Sequence, residues 1–324
     1  MNILVAGCAG FIGSNLVDSL LKLGHTVIGL DNFDASYSKL IKLENISTAK
    51  KQSGFKFLNI DITDSKQLNA GLSKYNIDAI INLASTERMR EDSADPVFYV
   101  KTSVVGTINL LELAKEKGVK IFIYASASSV YGNTRKTPYL EKHYLTRPLT
   151  PYSASKRSGE EMCYVYSKKY GISAIVLRIF STYGPRISPH QKIFYILNQA
   201  RKNKDISVYK DSGRDFVYVD DVAYAIISCL RKRLGYQIIN IGLGVSYSIK
   251  DVALEIVKLM NSKSKVIEES NIDEIQRYTY SDIKKANKLL GYIPRIRLLY
   301  GLAATVGWFN QEVRNNRVFY KEYL

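Results

Sequence analysis

Short apolar segments alternate with amphipathic segments along the first 180 residues of the chain. The apolar segments are rich in Ile, Val, Leu and aromatic residues, which is typical of β-strands, and lie at 2–6, 26–30, 55–60, 78–84, 119–124 and 173–177. Between them, apolar residues recur at helical spacing up to about residue 23 and at about 65–74, 96–117 and 153–170. Strands that alternate with helices of this length predict βαβ units, and therefore an α/β protein whose parallel sheet is covered on both faces.

The pattern is less regular after Gly184-Pro185. It predicts helices at about 190–202, 222–233 and 249–260, and strands at 206–209 and 237–241. No linker rich in Pro, Gly or Ser separates the two halves. We predict a first domain over residues 1–180, to which segments near 215–245 return, and a smaller α/β lobe formed mainly by residues 181–324.

The composition is that of a globular protein, because 46% of the 324 residues are hydrophobic and 23% are charged. Cys8, Cys163 and Cys229 are widely spaced and form no paired spacing with the three histidines, so we expect neither disulfides nor a metal site. The chain enters a strand at about Asn2 and has no run of the roughly 18 apolar residues that a membrane span needs. We therefore expect no signal peptide, no membrane partner and a cytoplasmic location.

The net charge of +16 is compatible with nucleic-acid binding. The basic residues are spread along the chain, however, in short pairs such as Lys168-Lys169 and Lys284-Lys285. Such pairs near helix C-termini are also favoured by the helix dipole. We therefore favour an anionic small-molecule substrate over a nucleic-acid partner.

A glycine-rich segment, residues 7–13, lies between the first strand and the first helix. Glycine allows a tight turn and a close approach of the backbone to a pyrophosphate, while the helix N-terminus offers N–H groups to it. This context predicts a doubly wound parallel sheet of the Rossmann type that binds a dinucleotide. The predicted contacts are Gly7, Gly10, Phe11, Ile12 and Gly13.

Asp31 ends the second strand, 18 residues after Gly13, and is followed by Asn32. A carboxylate at this place accepts hydrogen bonds from the ribose hydroxyls of a dinucleotide and repels a 2′-phosphate. Asp31 and Asn32 therefore favour NAD over NADP as the cofactor. The alternative for Asp31 is a turn residue at the end of a strand.

Two further strand ends are candidates for cofactor contacts. Asp61-Ile62 follows the third strand and is expected at the adenine, and Leu83-Ala84 follows the fourth strand. Because the carboxyl ends of parallel strands meet at one edge of the sheet, Leu83 and Ala84 would line the cofactor from the other side. Each pair would be a weak signal alone.

Tyr152 and Lys156 follow Pro151 at the start of a predicted helix. Residues four apart lie on the same face of a helix. Free tyrosine has a pKa near ~10, so a tyrosine that acts as a base near neutrality needs nearby positive charge. Lys156 and the nicotinamide ring of NAD⁺ would supply it, which predicts a general base for a substrate hydroxyl. The alternative is a surface tyrosine and lysine on an ordinary amphipathic helix.

Motifs along most of the chain match one family in the same order. The matching segments are 7–13, Asp31-Asn32, Asp61-Ile62, Leu83-Ala84, 128–132, 152–156, Leu177-Arg178, 183–186, 214–221, 240–242, Asp282 and 290–292. With them the chain resembles the extended short-chain dehydrogenases/reductases, specifically the nucleotide-sugar epimerases and dehydratases. The resemblance implies an NAD that is bound tightly and reused in each cycle, and a UDP-sugar held by the C-terminal lobe.

The two residues before the segment 130–132 distinguish activities within this family. Dehydratases and decarboxylases carry a carboxylate there, whereas this chain has Ser128 and Ser129, as the epimerases do. The resemblance is therefore closest to UDP-glucose and UDP-glucuronate 4-epimerases, with a related dehydratase or decarboxylase as the alternative. It implies that Tyr152 removes the proton of the sugar 4-hydroxyl while hydride passes from C4 to NAD⁺. The transient 4-keto sugar then turns over, and hydride returns to its opposite face.

The chain departs from the family at the centre of this site. The family has a Ser or Thr, hydrogen-bonded to the sugar oxygen and the tyrosine, where this chain has Ala127. Losing one such hydrogen bond typically costs about 10²–10³ in rate. Ser126, Ser128 or a water could substitute, or the site could have been weakened by engineering to trap a substrate complex. The third alternative is a non-catalytic protein that binds NAD and a nucleotide sugar.

A second departure concerns the sugar. UDP-glucuronate epimerases commonly have a basic residue where this chain has Ser188, and a Thr where it has Ser181. Arg88, Arg90 and Arg186 remain available for a carboxylate. The choice between a hexose, a hexuronate and an N-acetylhexosamine therefore stays open.

The resemblance also implies a set of substrate contacts and a setting in carbohydrate metabolism, such as polysaccharide biosynthesis. Arg214 and Arg277 match the family's diphosphate-binding positions, and their alternative is exposed surface arginines. The implied substrate-binding residues are Arg90, Ser128, Ser181, Arg186, Arg214 and Arg277.

The helices at 96–117 and 152–170 predict a homodimer. In the family they pair into a four-helix bundle across a two-fold axis. The alternative is that their apolar stripes simply pack on the sheet. The apolar residues in question are Val100, Val104, Ile108, Leu111, Met162, Tyr166 and Tyr170.

Overall fold

The computed structural model describes residues 1–85, 96–134, 136–270, 278–315 and 323. The strands in these ranges are β1 (Asn2–Ala6), β2 (Thr26–Leu30), β3 (Phe55–Leu58), β4 (Ala79–Asn82), β5 (Ile121–Ala127), β6 (Ser173–Ile179), β7 (Ser181–Tyr183), β8 (Ile206–Tyr209), β9 (Gly213–Arg214), β10 (Phe216–Tyr218), β11 (Gln237–Ile241), β12 (Tyr247–Ser248) and β13 (Val266–Glu269). The helices are α1 (Phe11–Lys22), α2 (Lys39–Asn45), α3 (Ser65–Leu72), α4 (Pro96–Val100), α5 (Gly106–Glu116), α6 (Pro151–Tyr170), α7 (Lys192–Arg201), α8 (Val219–Cys229), α9 (Ile249–Leu259), α10 (Lys284–Leu290) and α11 (Leu298–Asn315). A π-helical segment, Lys101–Val105, joins α4 to α5, and 3-10 turns lie at Ala49–Lys51 and Ser128–Tyr131.

A 7-stranded sheet in the order β11-β6-β5-β4-β1-β2-β3 organises the molecule. Every neighbouring pair in it is parallel. The chain runs from β1 to β2 and β3 on one side and then crosses to β4 on the other, so the strand order reverses between β1 and β4. Ligands of open α/β sheets bind at the carboxyl ends of the strands at such a switch point. This topology confirms the predicted doubly wound α/β fold.

Side chains that alternate along each strand pack against two separate layers of helices. On one face, Ile3 and Val5 lie in a core with residues of α1 and α8, and on the other face Leu4 and Ala6 lie in a core with residues of α3, α5 and α6. Burial on both faces is the reason why these strands appear in the sequence as almost continuous apolar segments.

The second half of the chain adds three 2-stranded sheets, β7 with β10, β8 with β13 and β9 with β12. A third core lies among α7, α9 and α11, where the rings of Phe194 and Phe309 meet edge to face at 5.5 Å. Not all of this half is separate from the large sheet, because β11 pairs with β6 and α8 packs against α1. The domain boundary near residue 180 stays a prediction.

The helix that carries Tyr152 begins earlier than the apolar pattern indicates. α6 starts at Pro151, and Thr150 caps it: the Ser153 N–H donates to Thr150 Oγ1 at 3.1 Å, and the Thr150 N–H donates to Ser153 Oγ at 3.1 Å. This reciprocal pair is a capping box, and proline is favoured in the first helical turn because its missing N–H has no helical partner there. The cap places Tyr152 in the first turn of the helix.

Other differences lie at strand and helix ends. β5 continues to Ala127, three residues beyond its predicted end, because it pairs with β6 along its whole length. α8 begins at Val219 rather than at residue 222. The sequence pattern did not predict α2, α10 or α11.

Among the described residues, one helical segment, Pro96–Glu116, has the length and apolar composition of a membrane span. In its most apolar 18-residue window, 44% of the residues are buried inside the fold. Core helices of soluble proteins have the same properties, so the segment is only weak evidence for a membrane.

Candidate active site

The glycine-rich turn leaves no room for a Cβ at Gly7 or Gly13. Gly7 has a φ of +80°, and a Cβ on it would lie 2.8 Å from the backbone N of Ala84. A Cβ on Gly13 would lie 2.0 Å from the Gly7 carbonyl oxygen. α1 begins after Gly10, which has no side chain to cap the first turn, so the N–H groups of that turn face the switch point. This cradle fits the pyrophosphate of a dinucleotide.

Asp31 lies beside this turn at the end of β2. Its Oδ2 accepts a hydrogen bond from the Ala9 N–H at 3.1 Å, and its Oδ1 accepts one from the Phe33 N–H at 2.8 Å. Burial raises the pKa of the Asp31 carboxyl, and the charge of Lys42 and these two amides partly offset the rise. The hydrogen bonds fix the carboxylate at the edge of the sheet where a ribose would lie, with lone pairs left for its hydroxyls.

A second acidic residue lies at the end of β3. Asp61 accepts hydrogen bonds from Asn32 Nδ2 at 2.9 Å and from the amide and hydroxyl of Thr63 at 2.8 and 2.7 Å. Partial burial alone would raise the pKa of Asp61, but these hydrogen bonds outweigh it and the pKa is lowered. Asn32 thereby connects the ends of β2 and β3. Asp61 stays a carboxylate acceptor, as a contact to adenine requires.

The three remaining predicted cofactor residues at the strand ends, Ile62, Leu83 and Ala84, lie along the same edge. The Ile62 side chain packs so closely on α5 that a Cβ on Gly106 would lie 2.4 Å from its Cδ1. Leu83 and Ala84 follow β4 and meet the Gly7 backbone. The structure therefore brings the predicted cofactor residues together along the carboxyl ends of β1 to β4.

A buried lysine below this edge was not predicted. Lys42 on α2 donates to the carbonyl oxygen of Asp34 at 3.0 Å and forms an ion pair with its carboxylate. Ser36 Oγ donates to the same carboxylate at 2.8 Å. This pair fixes the loop between β2 and α2, which begins at Asp31. A lysine among the apolar residues of a short segment was the only sequence signal for it.

Tyr152 and Lys156 occupy one face of α6. Lys156 Nζ is buried and donates to the Ala125 carbonyl oxygen of β5 at 2.8 Å. It lies 5.9 Å from the centre of the Tyr152 ring, and burial lowers the pKa of Lys156 to about 8. The ring of Tyr99, on α4, meets the Tyr152 ring edge to face at 6.0 Å. The arrangement places an ammonium near a phenol.

We expect Lys156→Met to stabilise the fold at neutral pH. The pKa of Lys156 falls from 10.5 to about 8 on folding, so the unfolded chain binds the proton more tightly, and the buried charge costs about 3 kcal/mol below pH 8. This cost shrinks as the pH rises from about 8 to 10.5. After the loss of the hydrogen bond to Ala125, the variant should gain about 1–3 kcal/mol in urea unfolding at pH 7.

The gain from Lys156→Met should be smaller at pH 9.5 than at pH 7, because the lysine of the parent is then mostly neutral when folded. Lys168→Met, at an exposed lysine of the same helix, should change neither value. A Lys156→Met protein that is less stable than its parent at pH 7 would contradict the conclusion that the buried Lys156 ammonium destabilises the fold.

The end of β5 carries the residue that departs from the family. Ala127 is the last residue of the strand and is partly buried. Ser126 cannot replace its missing hydroxyl, because Ser126 Oγ points to α6 and donates to Glu160 at 2.5 Å. Ser128 and Ser129 follow in the 3-10 turn, and Ser129 Oγ is buried without a hydrogen-bond partner among the described residues. The turn contains no carboxylate.

The predicted substrate residues fall into different places. Arg186 has a φ of +66° and its Nη1 lies 2.8 Å from Asp18 Oδ2 on α1, an ion pair without hydrogen-bond geometry. Arg214 is partly buried on β9 and donates to the Gly213 carbonyl oxygen at 2.9 Å. Ser181 begins β7 and is partly buried. In this structure Arg186 is therefore paired with Asp18 of α1.

The other predicted arginines lie outside the described residues. They are Arg88 and Arg90, between the described residues 85 and 96, and Arg277, between 270 and 278. Within the described ranges, no group of three or more His, Cys, Asp or Glu side chains is placed to hold a metal ion.

Two aspartates in the segment 214–221 hold the C-terminal lobe together. Asp215 is fully buried and accepts hydrogen bonds from the Leu243 and Gly244 amides at 2.6 and 3.0 Å and from Ser281 Oγ at 2.6 Å. Asp221 accepts from the backbone N–H groups of residues 295 and 296 at 2.9 and 3.1 Å. Their roles are structural, and their sequence signal was the matching segment 214–221.

The comparisons with known proteins agree on one family. The model of the NAD dependent epimerase/dehydratase family matches residues 3–242. The UDP-glucuronate 4-epimerase of Thermodesulfobacterium geofontis (strain OPF15) is 37% identical over 313 residues, which cover 96% of each chain.

Two solved structures extend the similarity to the whole fold. UDP-glucuronic acid 4-epimerase from Bacillus cereus, in complex with UDP-glucuronic acid and NAD, has a TM-score of 0.86 and 33% identity over 96% of this chain and 99% of that chain. UDP-glucose 4-epimerase from Thermotoga maritima, with UDP-glucose, has a TM-score of 0.88 and 27% identity over 97% of this chain and 100% of that chain.

Proposed function

The chain belongs to the NAD dependent epimerase/dehydratase family, as its sequence motifs predicted, and we propose that it is an NAD-dependent UDP-sugar 4-epimerase. The observation that carries this proposal is the buried Lys156 beside Tyr152, at the same sheet edge as the glycine cradle. The 3-10 turn with Ser128 and Ser129 supports an epimerase over a dehydratase, because it offers no extra acid or base. The relatives named above as 4-epimerases support the same reaction.

The residues of the chain divide the work of this reaction. NAD, when bound, accepts a hydride from the sugar and returns it. The turn at Gly7 and Gly13 would hold its pyrophosphate, and Asp31 its ribose. Tyr152 takes the proton of the 4-hydroxyl as C4 becomes a ketone, and gives it back after the 4-keto sugar has turned over. The ammonium of Lys156 stabilises the phenolate form of Tyr152.

The substrate is proposed at the level of a UDP-hexose or UDP-hexuronate. A panel of UDP-glucuronate, UDP-glucose, UDP-galactose and UDP-N-acetylglucosamine, followed by NMR for C4 epimers, tests the proposal. Turnover of one of them supports it and names the sugar. If none turns over, and none does after Ala127→Thr or Ala127→Ser, the epimerase proposal is wrong. Ala127 then favours a protein that binds NAD and a nucleotide sugar without converting it.

We also propose a homodimer through α4, α5 and α6. The residues named for it in the sequence were partly wrong: Leu111 is fully buried, and Met162, Tyr166 and Tyr170 pack on the core beneath α6. These side chains follow the alternative, packing on their own sheet. Val100, which the sequence did name, is 46% exposed. α4, the π-helical segment and α6 expose further large apolar side chains, at 40–52% of their surface: Val97, Phe98, Val105, Tyr164 and Val165.

Exposed apolar side chains grouped on adjacent helices mark an association surface. Sedimentation at micromolar concentration should therefore show about twice the 36.6 kDa of one chain. A species of 36.6 kDa would contradict the dimer. We further propose that the protein is cytoplasmic, has no membrane partner and serves polysaccharide biosynthesis.

A further inference from the structure

A buried ion pair lies one helical turn beyond Lys156. Glu160 on α6 is 1% exposed and Arg178 on β6 is 2% exposed. Arg178 Nε donates to Glu160 Oε1 at 3.0 Å, and Arg178 Nη2 donates to Oε2 at 2.8 Å. Both carboxylate oxygens are therefore held in the two-pronged geometry that is specific to arginine.

The same carboxylate is also bound to the strand that carries the catalytic end of the site. Ser126 Oγ on β5 donates to Glu160 Oε1 at 2.5 Å. The preceding residue, Ala125, accepts the hydrogen bond from Lys156 Nζ. One short stretch of β5 thus holds the lysine with a carbonyl and the glutamate with a hydroxyl, at two separate points.

Lys156 and Glu160 are residues of opposite charge four positions apart. They lie on one face of α6, where such side chains are close enough to pair with each other. Here the glutamate pairs with Arg178 instead, and the ammonium of Lys156 lies 5.1 Å from the centre of the Tyr124 ring and 5.9 Å from that of the Tyr152 ring. A buried carboxylate that lost Arg178 would turn to the nearest remaining cation, because an unpaired buried charge is costly.

We propose that Arg178 is a positioning residue, which keeps the Glu160 carboxylate away from Lys156 and so reserves the Lys156 ammonium for Tyr152. Arg178 contacts neither Tyr152 nor the substrate hydroxyl in this assignment, and it acts only through Glu160. The inference rests on the proposed function, since it explains how the Tyr152–Lys156 pair stays competent as a base.

No other described carboxylate competes for Lys156 in these contacts. Burial raises the pKa of the Cys163 thiol and of the Tyr124 phenol, so both stay neutral near pH 7. The charged and titratable groups around the pair are Tyr152, Glu160 and Cys163 on α6, Tyr124 on β5, Tyr99 on α4, Arg178 on β6, Tyr131 in the 3-10 turn and Tyr236 before β11. Glu160 is the anion in this set.

The test is a titration of Tyr152 that needs no turnover. The phenolate absorbance of each protein is measured against pH and compared with the same protein carrying Tyr152→Phe, so that the difference reports Tyr152 alone. Arg178→Met should raise the midpoint of this difference titration by about one pH unit, because the freed carboxylate, once beside Lys156, repels the Tyr152 phenolate. A crystal structure of Arg178→Met should show the Glu160 carboxylate within about 4 Å of Lys156 Nζ, the limit of an ion pair.

Glu160→Gln combined with Arg178→Met is the matched control. It removes the carboxylate as well, so the midpoint should return to within a few tenths of the parent value. If Arg178→Met does not fold, Arg178→Gln serves with the same readouts, because it also removes the positive charge that holds the Glu160 carboxylate.

An unchanged midpoint in the single variant would overturn the proposal. A raised midpoint would also overturn it if the crystal structure still showed Glu160 hydrogen-bonded to Ser126. The loss of the Arg178 charge alone would then explain the shift. Both measurements are made without substrate, so a protein that fails the epimerase panel can still pass or fail this test.

Discussion

Replacing Ala127 with threonine is expected to increase the rate of epimerisation by about 10²–10³, the usual effect of one hydrogen bond to the oxygen that changes charge. Ala127 ends β5, where the family carries a hydroxyl that contacts the sugar oxygen and the tyrosine. The structure rules out Ser126 as a replacement, because its hydroxyl is held by Glu160. NMR of C4 epimers under saturating UDP-sugar measures the change.

Ala127→Val is the matched control for this prediction. Valine has the shape of threonine without the hydroxyl, so it should leave the rate at the parent level or below. Equal gains with valine and threonine would show that bulk, and not a hydrogen bond, was missing. No gain with threonine would mean that another group already supplies the bond, and Ser129, whose Oγ has no partner among the described residues, would be the first to replace with alanine.

The sheet could be predicted from the sequence because its strands are buried on both faces. β1, β2 and β11 have the predicted bounds, since a strand covered by two helical layers must be apolar at nearly every position. The edge of the sheet that carries the cofactor residues could be predicted from the same topology, because the carboxyl ends of parallel strands meet there. A linear pattern was enough here, because the ligand contacts lie at positions where strands end.

One missed helix did have a signal in the sequence. α11 places Leu298, Leu302, Val306 and Phe309 in the third core, at spacings of four and three residues. This is the periodicity of a buried helix face. The helix could therefore have been predicted, whereas α2 is too short for its periodicity to show.

The partners of buried charges could not be predicted from the sequence. Arg186 has the position of a substrate-binding arginine, but Asp18, 168 residues earlier, holds it on α1. Arg178 similarly finds Glu160 only because β6 lies under α6. Charged residues look alike in a sequence whether they are solvated or paired, and only the packing of separate elements decides between the two.

The second large effect is expected at Tyr152, and it depends on the first. On an Ala127→Thr background, Tyr152→Phe should lower the rate by about 10²–10⁴, the usual contribution of a general base. One hydroxyl is lost while the ring keeps its contact with Tyr99, so the fold and the bound NAD should be nearly unchanged. On the Ala127 background the starting rate is low, so the same change should be almost undetectable.

Tyr300→Phe is the control for this substitution, because Tyr300 is an exposed tyrosine of α11, outside both the candidate site and the proposed dimer surface. It should leave the rate of the Ala127→Thr protein unchanged, and thermal melts should coincide for all three proteins. Lys156→Ala should differ from both: it removes the charge beside the phenol, so the rate and the retention of NAD should fall together. If Tyr152→Phe epimerises as fast as its Ala127→Thr parent, the base lies elsewhere. The roles assigned to Tyr152, Lys156 and Arg178 would then all be wrong, because each of them depends on a proton that passes through this phenol.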